Sequence, residues 1–254
     1  YDGFFSEEDV AKYETERGKS IPDHGTGYIP KPGDVKYKDI SGPDDVPDGV
    51  IDDYDKTNIG SPMPKFTFGW TNTFRYKNFD LSVFINGSYG NKVYNYLSMK
   101  LTHMNSPWTN QLNAVNGRAQ LVPINPNKVY EDGTMWYNDV SNVMVANPGA
   151  SIPRATINDP NDNDRISDRY IEDGSYIRLK NISLGYTFPK KTIDKLGLSN
   201  LRIYANIQNL LTITGYDGYD PEIGASTSSV NVYGLDNGRY PSPTVYSFGL
   251  NVSF

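Results

Sequence analysis

The chain has 254 residues, rich in aromatics (20 Tyr, 10 Phe, 3 Trp) but only 37% hydrophobic. No stretch reaches the roughly 18–20 uninterrupted apolar residues of a membrane-spanning helix, which excludes an α-helical membrane protein. A membrane β-barrel stays open, because its lipid face needs only every second residue. A net charge of −6, with no basic run longer than Lys190-Lys191, argues against a nucleic-acid partner, and the absence of Cys excludes a disulfide scaffold or thiolate metal site.

The opening Tyr1-Asp2-Gly3-Phe4-Phe5 is neither a signal peptide nor a Met start, so the chain reads as an interior or C-terminal piece of something longer. In residues 1–63, Ser6 followed by Glu7, Glu8 and Asp9 predicts one short helix through an N-cap serine and early acids. The rest of that segment is Gly, Pro and Asp-rich and reads as loop, with a short strand expected at Val35 to Lys38.

From Pro64 the texture changes. Phe66, Phe68, Trp70, Asn72, Phe74 and Tyr76 share one parity, opposite Thr67, Gly69, Thr71, Thr73 and Arg75. After Lys77-Asn78 the alternation resumes with Phe79, Leu81, Val83 and Ile85 opposite Asp80, Ser82 and Asn86, with Phe84 interrupting the polar side. Period-two alternation of this length predicts a hairpin over 64–90.

Residues 91–174 hold many prolines and the Asn/Asp-rich run 158–164. That is longer than ordinary loops, so the segment is functional, partly disordered, or a small insert with structure of its own. Three strands follow. Ile182, Leu184, Tyr186 and Phe188 alternate with Ser183, Gly185 and Thr187, while Ile177 and Leu179 sit out of phase and imply a bulge near Asn181. Leu201, Ile203, Ala205 and Ile207 alternate with Arg202, Tyr204, Asn206 and Gln208, and a long connection is expected over 211–244. Tyr246, Phe248, Leu250, Val252 and Phe254 close the chain opposite Ser247, Gly249, Asn251 and Ser253, small residues that suit a crowded or hydrated interior.

The connections run short, long, short, long. Outer-membrane barrels keep short turns periplasmic and long loops outside, so counting back from the C-terminus puts 1–63, 91–174 and 211–244 on the extracellular side and Phe254 in the periplasm.

Seven segments in order then resemble the SusC/RagA family of TonB-dependent outer-membrane transporters: Lys31 to Asp39; Asp48 to Asp52 with Ile59 to Phe66; Tyr76 to Ser82; Ser167 to Asn181; Leu184-Gly185-Tyr186; Ala205 to Leu210; and Gly218-Tyr219-Asp220-Pro221-Glu222. The resemblance implies an all-β fold, the C-terminal strands of a transmembrane antiparallel barrel of about 22 strands around a plug, with long extracellular loops. It also implies a bacterial outer-membrane location, a SusD-like surface lipoprotein as lid, and TonB acting through the upstream region. Further implied partners are the barrel-assembly machinery, the remainder of the chain's own barrel, and outer-membrane lipid. Five strands alone do not close a barrel, since the smallest membrane barrels have about eight.

The expected role is import of oligomeric nutrients, glycans in preference to peptides, with no covalent chemistry. Arg75, Asp80, Arg202, Tyr204 and Gln208 are expected to face the lumen. Trp108, Trp136, Tyr137, Tyr216 and Tyr219 lie in the expected external loops, where aromatics stack on sugars or anchor a partner, or else join the interfacial girdle. The strand Tyr246 to Phe254 doubles as the barrel-assembly signal under the resemblance. No cofactor is expected beyond a calcium ion at Asp39, Asp45, Asp48 and Asp52. There the interruption by Pro43 to Pro47 favours a solvated acidic turn. His24 and His103 are read as surface histidines, and Glu172-Asp173 as rim or turn residues rather than a glycosidase pair. A secreted β-sandwich carbohydrate-binding module, a secreted glycan hydrolase and a passive porin are the rival readings.

Overall fold

The computed structural model describes residues 1–223, 225–226 and 229–254. In chain order its helices are α1 (Glu7–Glu16), α2 (Tyr96–Thr102) and α3 (Lys190–Ile193), with short 3₁₀ turns between. Its strands are β1 (Phe66–Tyr76), β2 (Phe79–Tyr89), β3 (Lys92–Tyr94), β4 (Leu121–Pro123), β5 (Val143–Val145), β6 (Ile171–Asp173), β7 (Tyr176–Thr187), β8 (Asn200–Thr214), β9 (Ala225–Ser226), β10 (Ser229–Tyr233) and β11 (Val245–Ser253). No helix among the described residues is long and apolar enough to cross a membrane. The chain divides into two units, one of residues 1–59 and 97–170, the other of 60–96 and 171–254.

The second unit is built on a five-stranded antiparallel sheet in the order β1-β2-β7-β8-β11. The β1–β2 hairpin turns on Lys77-Asn78, with Lys77 in the left-handed region at φ 50°. Because the strands follow chain order and alternate direction, the connections 77–78 and 188–199 emerge at one end of the sheet, and 90–175 and 215–244 at the other. Registered rows carry the predicted parity across every strand: Phe74, Leu81, Leu184, Ala205 and Phe248 share one face, and Tyr76, Phe79, Tyr186, Ile203 and Leu250 the same face one row away. That face is apolar and exposed, with Phe74 55%, Leu184 48% and Phe248 83% accessible, a breadth of exposed apolar surface that marks a lipid or protein contact.

The expected bulge lies at Lys180. Phe84 and Ile85 of β2 face Asn181 and Leu179 of β7, leaving Lys180 extra, and opposite it Asn209 (φ 51°) and Leu210 of β8 are also skipped. The bulge returns Ile177 and Leu179 to the apolar face, in line with Gly87 and Ile85. β8 meanwhile runs to Thr214, four residues into the segment expected as loop from 211. The smaller ladder β3–β6 also belongs to this unit.

The first unit gathers most of the segment 91–174, which proves to be an insert with structure of its own, including the β4–β5 ladder. α1 forms as predicted: Ser6 Oγ accepts from Asp9 N, and Asp9 Oδ2 accepts from Ser6 N, both at 3.1 Å, a reciprocal capping box. Its Val10 and Tyr13 pack with Phe5 and Ile21 into one small core, beside a second of Val35, Tyr37 and Ile51. The strand expected at Val35 to Lys38 does not form beyond a single bridge from Val35 to Phe4. Lys36 exchanges backbone hydrogen bonds with Gly3 and Asp2, but both backbone groups of Val35 go to side chains: Val35 N donates to Asn163 Oδ1 (2.6 Å) and Val35 O accepts from Asn161 Nδ2 (2.9 Å).

Candidate functional site

On the sheet's polar face, Arg75, Asp80, Gly185, Tyr204 and Gly249 form one registered row. Arg202, two positions before Tyr204 on β8, and Gln208, four positions after it, share that face, so all five residues expected in the lumen stand on one surface, opposite the apolar one. The strand between β2 and β8 contributes only Gly185 to the row. Arg202 therefore reaches across it, its Nε donating to Asp80 Oδ1 at 3.1 Å and its Nη2 pairing with Oδ2 at 2.5 Å. A Cβ on Gly185 would sit 2.2 Å from Arg202 Nη2 and 2.6 Å from Asp80 Oδ1. The guanidinium also lies 5.1 Å from the centroid of the Tyr204 ring, and that ring occupies the space above Gly249. Phe84, the residue that interrupts the polar parity, lies against Gly69.

Near the other end of this face, Arg178 is buried, and three partners hold its guanidinium: Nε donates to Thr212 Oγ1 (2.8 Å), Nη1 to Glu222 Oε2 (2.7 Å) and Nη2 to Asp220 Oδ1. Lys180 Nζ adds a second cation to Glu222 Oε2 at 2.9 Å. Asp220 Oδ2 accepts from Ser242 N at 2.9 Å. Burial alone raises the Asp220 carboxyl, but the Ser242 N–H, Arg178 and the Glu222 N–H outweigh it and hold the group below its ordinary range. Arg178 belongs to the Tyr-Ile-Arg-Leu-Lys-Asn motif and Asp220 and Glu222 to Gly-Tyr-Asp-Pro-Glu, so two segments singled out in the sequence without a stated role meet here.

Tyr216 departs from the exposed-aromatic expectation. It is buried, its hydroxyl donates to Asp236 Oδ2 at 2.6 Å, and its ring packs against Gly218. Tyr219 of the same unit is exposed. In the first unit Trp108 is 91% accessible, Trp136 is half-buried edge-on to Tyr137, and Tyr137 is exposed with Lys31 Nζ 5.3 Å from its ring centroid.

Both histidines are buried, not on the surface. His24 packs between Phe5 and Tyr37 with ring centroids 5.2 and 5.4 Å away, and its Nε2 accepts from Tyr37 N. Burial, with Arg165 nearby, pushes its pKa down to about 4, so it is neutral. His103 lies between two carboxylates, Nε2 3.0 Å from Asp159 Oδ2 and Nδ1 3.2 Å from Asp164 Oδ2. Burial lowers its pKa, but the hydrogen bonds to Asp159 and Asp164 prevail and push it up to about 9, which makes it an imidazolium with both N–H groups satisfied. Asp159 Oδ1 in turn accepts from Asn163 Nδ2 at 2.7 Å, joining this triad to the Asn161 and Asn163 side chains that hold Val35.

Among the described residues, His103, Asp159 and Asp164 are the one group of three with ligand atoms within 4.8 Å. The four acids expected at a calcium site do not converge in that way. Asp39 Oδ2 accepts from Gly49 N, Asp48 Oδ1 from Val50 N and Asp52 Oδ1 from Tyr54 N, so their oxygens close turns of the backbone, and Asp45 is exposed. Glu172 likewise accepts from Asn95 Nδ2 and Asp217 N, an assignment to structure.

No family model matches the chain. Curated relatives do. TonB-dependent receptor P3 of Formosa agariphila is 35% identical over 88% of this chain, and TonB-dependent receptor P26 of the same organism 33% identical over 87%. TonB-dependent receptor SusC of Bacteroides thetaiotaomicron is 29% identical over 81%. The chain is a SusC/RagA-like fragment of a TonB-dependent receptor. It spans 19%, 20% and 17% of the length of those three relatives. The structure of the RagAB peptide transporter superimposes with a TM-score of 0.51 over 77% of this chain and 18% of that one, at 19% identity, and so shares its fold. These relatives are receptors, and the superimposed structure is that of a transporter.

Proposed function

We propose that the full-length protein is a TonB-dependent importer of the bacterial outer membrane that takes up oligomeric nutrients, glycans in preference to peptides, beneath a SusD-like lipoprotein. This chain supplies its C-terminal barrel strands and two large external loops. The observation that carries the reading is the two-faced meander, apolar and exposed on one side and lined by Arg75, Asp80, Arg202, Tyr204 and Gln208 on the other, with both long connections at one end. The apolar side is the surface a membrane barrel presents to lipid, and the polar side is its lumen. The edge strands β1 and β11 pair with the remainder of the barrel, and Phe254 lies on the periplasmic side, where the terminal strand is read by the barrel-assembly machinery. The glycan preference rests on Trp108, Trp136, Tyr137 and Tyr219, loop aromatics of the kind that stack on sugar rings.

The test is uptake of fluorescent oligosaccharides and oligopeptides by cells carrying or lacking the full-length gene, with and without collapse of the proton-motive force. Gene-dependent and energy-dependent entry of an oligosaccharide is expected. Entry that survives collapse of the gradient identifies a passive porin instead, and entry of peptides alone overturns the glycan preference.

A further inference from the structure

Within the first unit lies a cleft of about 1030 Å³, at the upper end of the size range of ligand sites. Its lining includes Lys31, Arg118 and Arg154 and, among the described residues, no Asp or Glu. In a chain with 30 acids against 24 bases, a wall of that extent with three cations and no acid is a marked local reversal of charge.

The three cations differ in what balances them. Arg154 Nε lies 2.7 Å from Asp34 Oδ1, an acid fully buried behind the wall, and its Nη2 donates to the Tyr28 hydroxyl at 2.9 Å. Lys31 and Arg118 form no ion pair with any described residue. Lys31, only 8% exposed, has Asn138 Oδ1 at 2.8 Å and the face of Tyr137, while Arg118 Nη1 reaches the Val115 carbonyl at 3.3 Å. Burial first, and then the nearby Arg154, lower the Lys31 pKa against the opposing pull of the Asp34 carboxylate, which leaves the ammonium short of negative charge. A buried cation without a paired counter-charge is costly, and an anion entering the cleft offsets that cost at Lys31 and also supplies an ionic partner to the half-buried Arg118.

We propose that this cleft binds the anionic groups, carboxylate or sulfate, of an acidic oligosaccharide. The guanidinium of Arg118 suits either oxyanion by paired donors, and Lys31 supplies a point charge. Asn116 in the same lining offers a donor and an acceptor for sugar hydroxyls, and Tyr28 and Tyr137 offer ring faces. This inference rests on the importer reading and narrows its substrate class.

The experiment uses the purified full-length transporter. Binding is measured by calorimetry for oligogalacturonate and its methyl ester, for a sulfated galactan oligosaccharide and its desulfated form, and for oligoglutamate. At least one acidic saccharide binds tenfold or more tightly than its neutral counterpart, and added salt weakens that binding. Preference for oligogalacturonate assigns carboxylate, and preference for the sulfated oligomer assigns sulfate. The Lys31→Met, Arg118→Gln double variant abolishes the difference. Arg118→Gln alone, at a half-buried residue, gives a partial loss and serves where the double variant fails to form a heat-modifiable barrel. Equal binding of charged and neutral forms, binding of none of the saccharides, or binding of oligoglutamate alone overturns the proposal. Energy-dependent uptake of a neutral oligosaccharide together with any of those results leaves the importer standing without the anionic cleft. Acidic binding with no energised uptake leaves the cleft and removes the importer.

Discussion

Arg178 on β7 and Asp220, 42 residues further along the chain, form a buried ion pair with side chains 3% and 6% exposed. The pair ties the segment that follows β8 to the polar face of the sheet. Glu222 and Ser242 extend the tie in both directions.

Arg178→Met leaves the Asp220 carboxylate buried without its cation, and removing one partner of such a pair costs about 3–5 kcal/mol. The expected result is protease cleavage within 211–244 of the assembled protein and a lowered melting temperature. Arg178→Lys retains the charge but not the three-way geometry and falls between. Limited proteolysis with mass mapping of the fragments reads both.

Two glycines of one row have unequal costs. An added Cβ at Gly185 meets the mobile end of Arg202 and displaces a partly exposed ion pair, worth about 1 kcal/mol or less. At Gly249 it meets the ring of Tyr204, 2.1 Å from Cζ, and the ring has no such freedom. Gly249→Ala therefore lowers folded yield and melting temperature more than Gly185→Ala, while Gly117→Ala, with nothing within 4 Å, changes neither.

His103 makes the first unit sensitive to alkali. Its pKa rises from an unfolded value of 6.5 to about 9, so its contribution is complete below pH 6.5 and lost as pH rises through 9, amounting to about 3 kcal/mol. His24 works in the opposite sense: its pKa falls to about 4, so its contribution is present above pH 6.5 and lost as pH falls towards 4. Protease sensitivity of the segment 97–170 is expected to rise above pH 9, and His103→Gln removes the alkaline rise and leaves the acid one.

Deleting Phe254 lowers the amount of heat-modifiable barrel in the outer membrane without changing synthesis. An unchanged yield of barrel separates the terminal aromatic from assembly. Calcium titration of the full-length protein leaves the acidic turn as it is, since Asp39, Asp48 and Asp52 already accept backbone N–H groups. A chelator-sensitive change in proteolysis between residues 39 and 55 speaks for an ion there.

The strands were legible because period-two alternation is a direct consequence of the pleat, and α1 because Ser6 and Asp9 stand at capping-box spacing. Even the bulge announced itself through the phase of Ile177 and Leu179. The interior of the first unit was not legible. Asn161, Asn163, Asp159 and His103 are polar types that usually lie outside, and here they are its centre. The partners that justify their burial are distant in sequence: Val35 bonds Asn163 across 128 positions and His103 bonds Asp159 across 56. The spacing of Asp159, Asn161 and Asn163 at every second position was the one local sign of that cluster. Tyr216 was misplaced for the same reason, since Asp236 lies 20 residues beyond it.

The extra residue at Lys180 works as a frame correction written into the chain. On its far side the odd-numbered Ile177 and Leu179 join a surface otherwise made of even-numbered residues such as Ile182, Leu184 and Tyr186, and the even-numbered Arg178 is released to the opposite side. Straightening the strand through Lys180, with the residue kept and the bulge lost, would exchange the two surfaces for the whole outer third of β7, sending a guanidinium to the apolar side and two aliphatics to the polar one, whereas deleting Lys180 would leave both surfaces as they are. Chimeras that swap external loops among such receptors must therefore be joined by counting parity through this position, because an alignment that is right in length but off by one here grafts the loops onto an inverted wall.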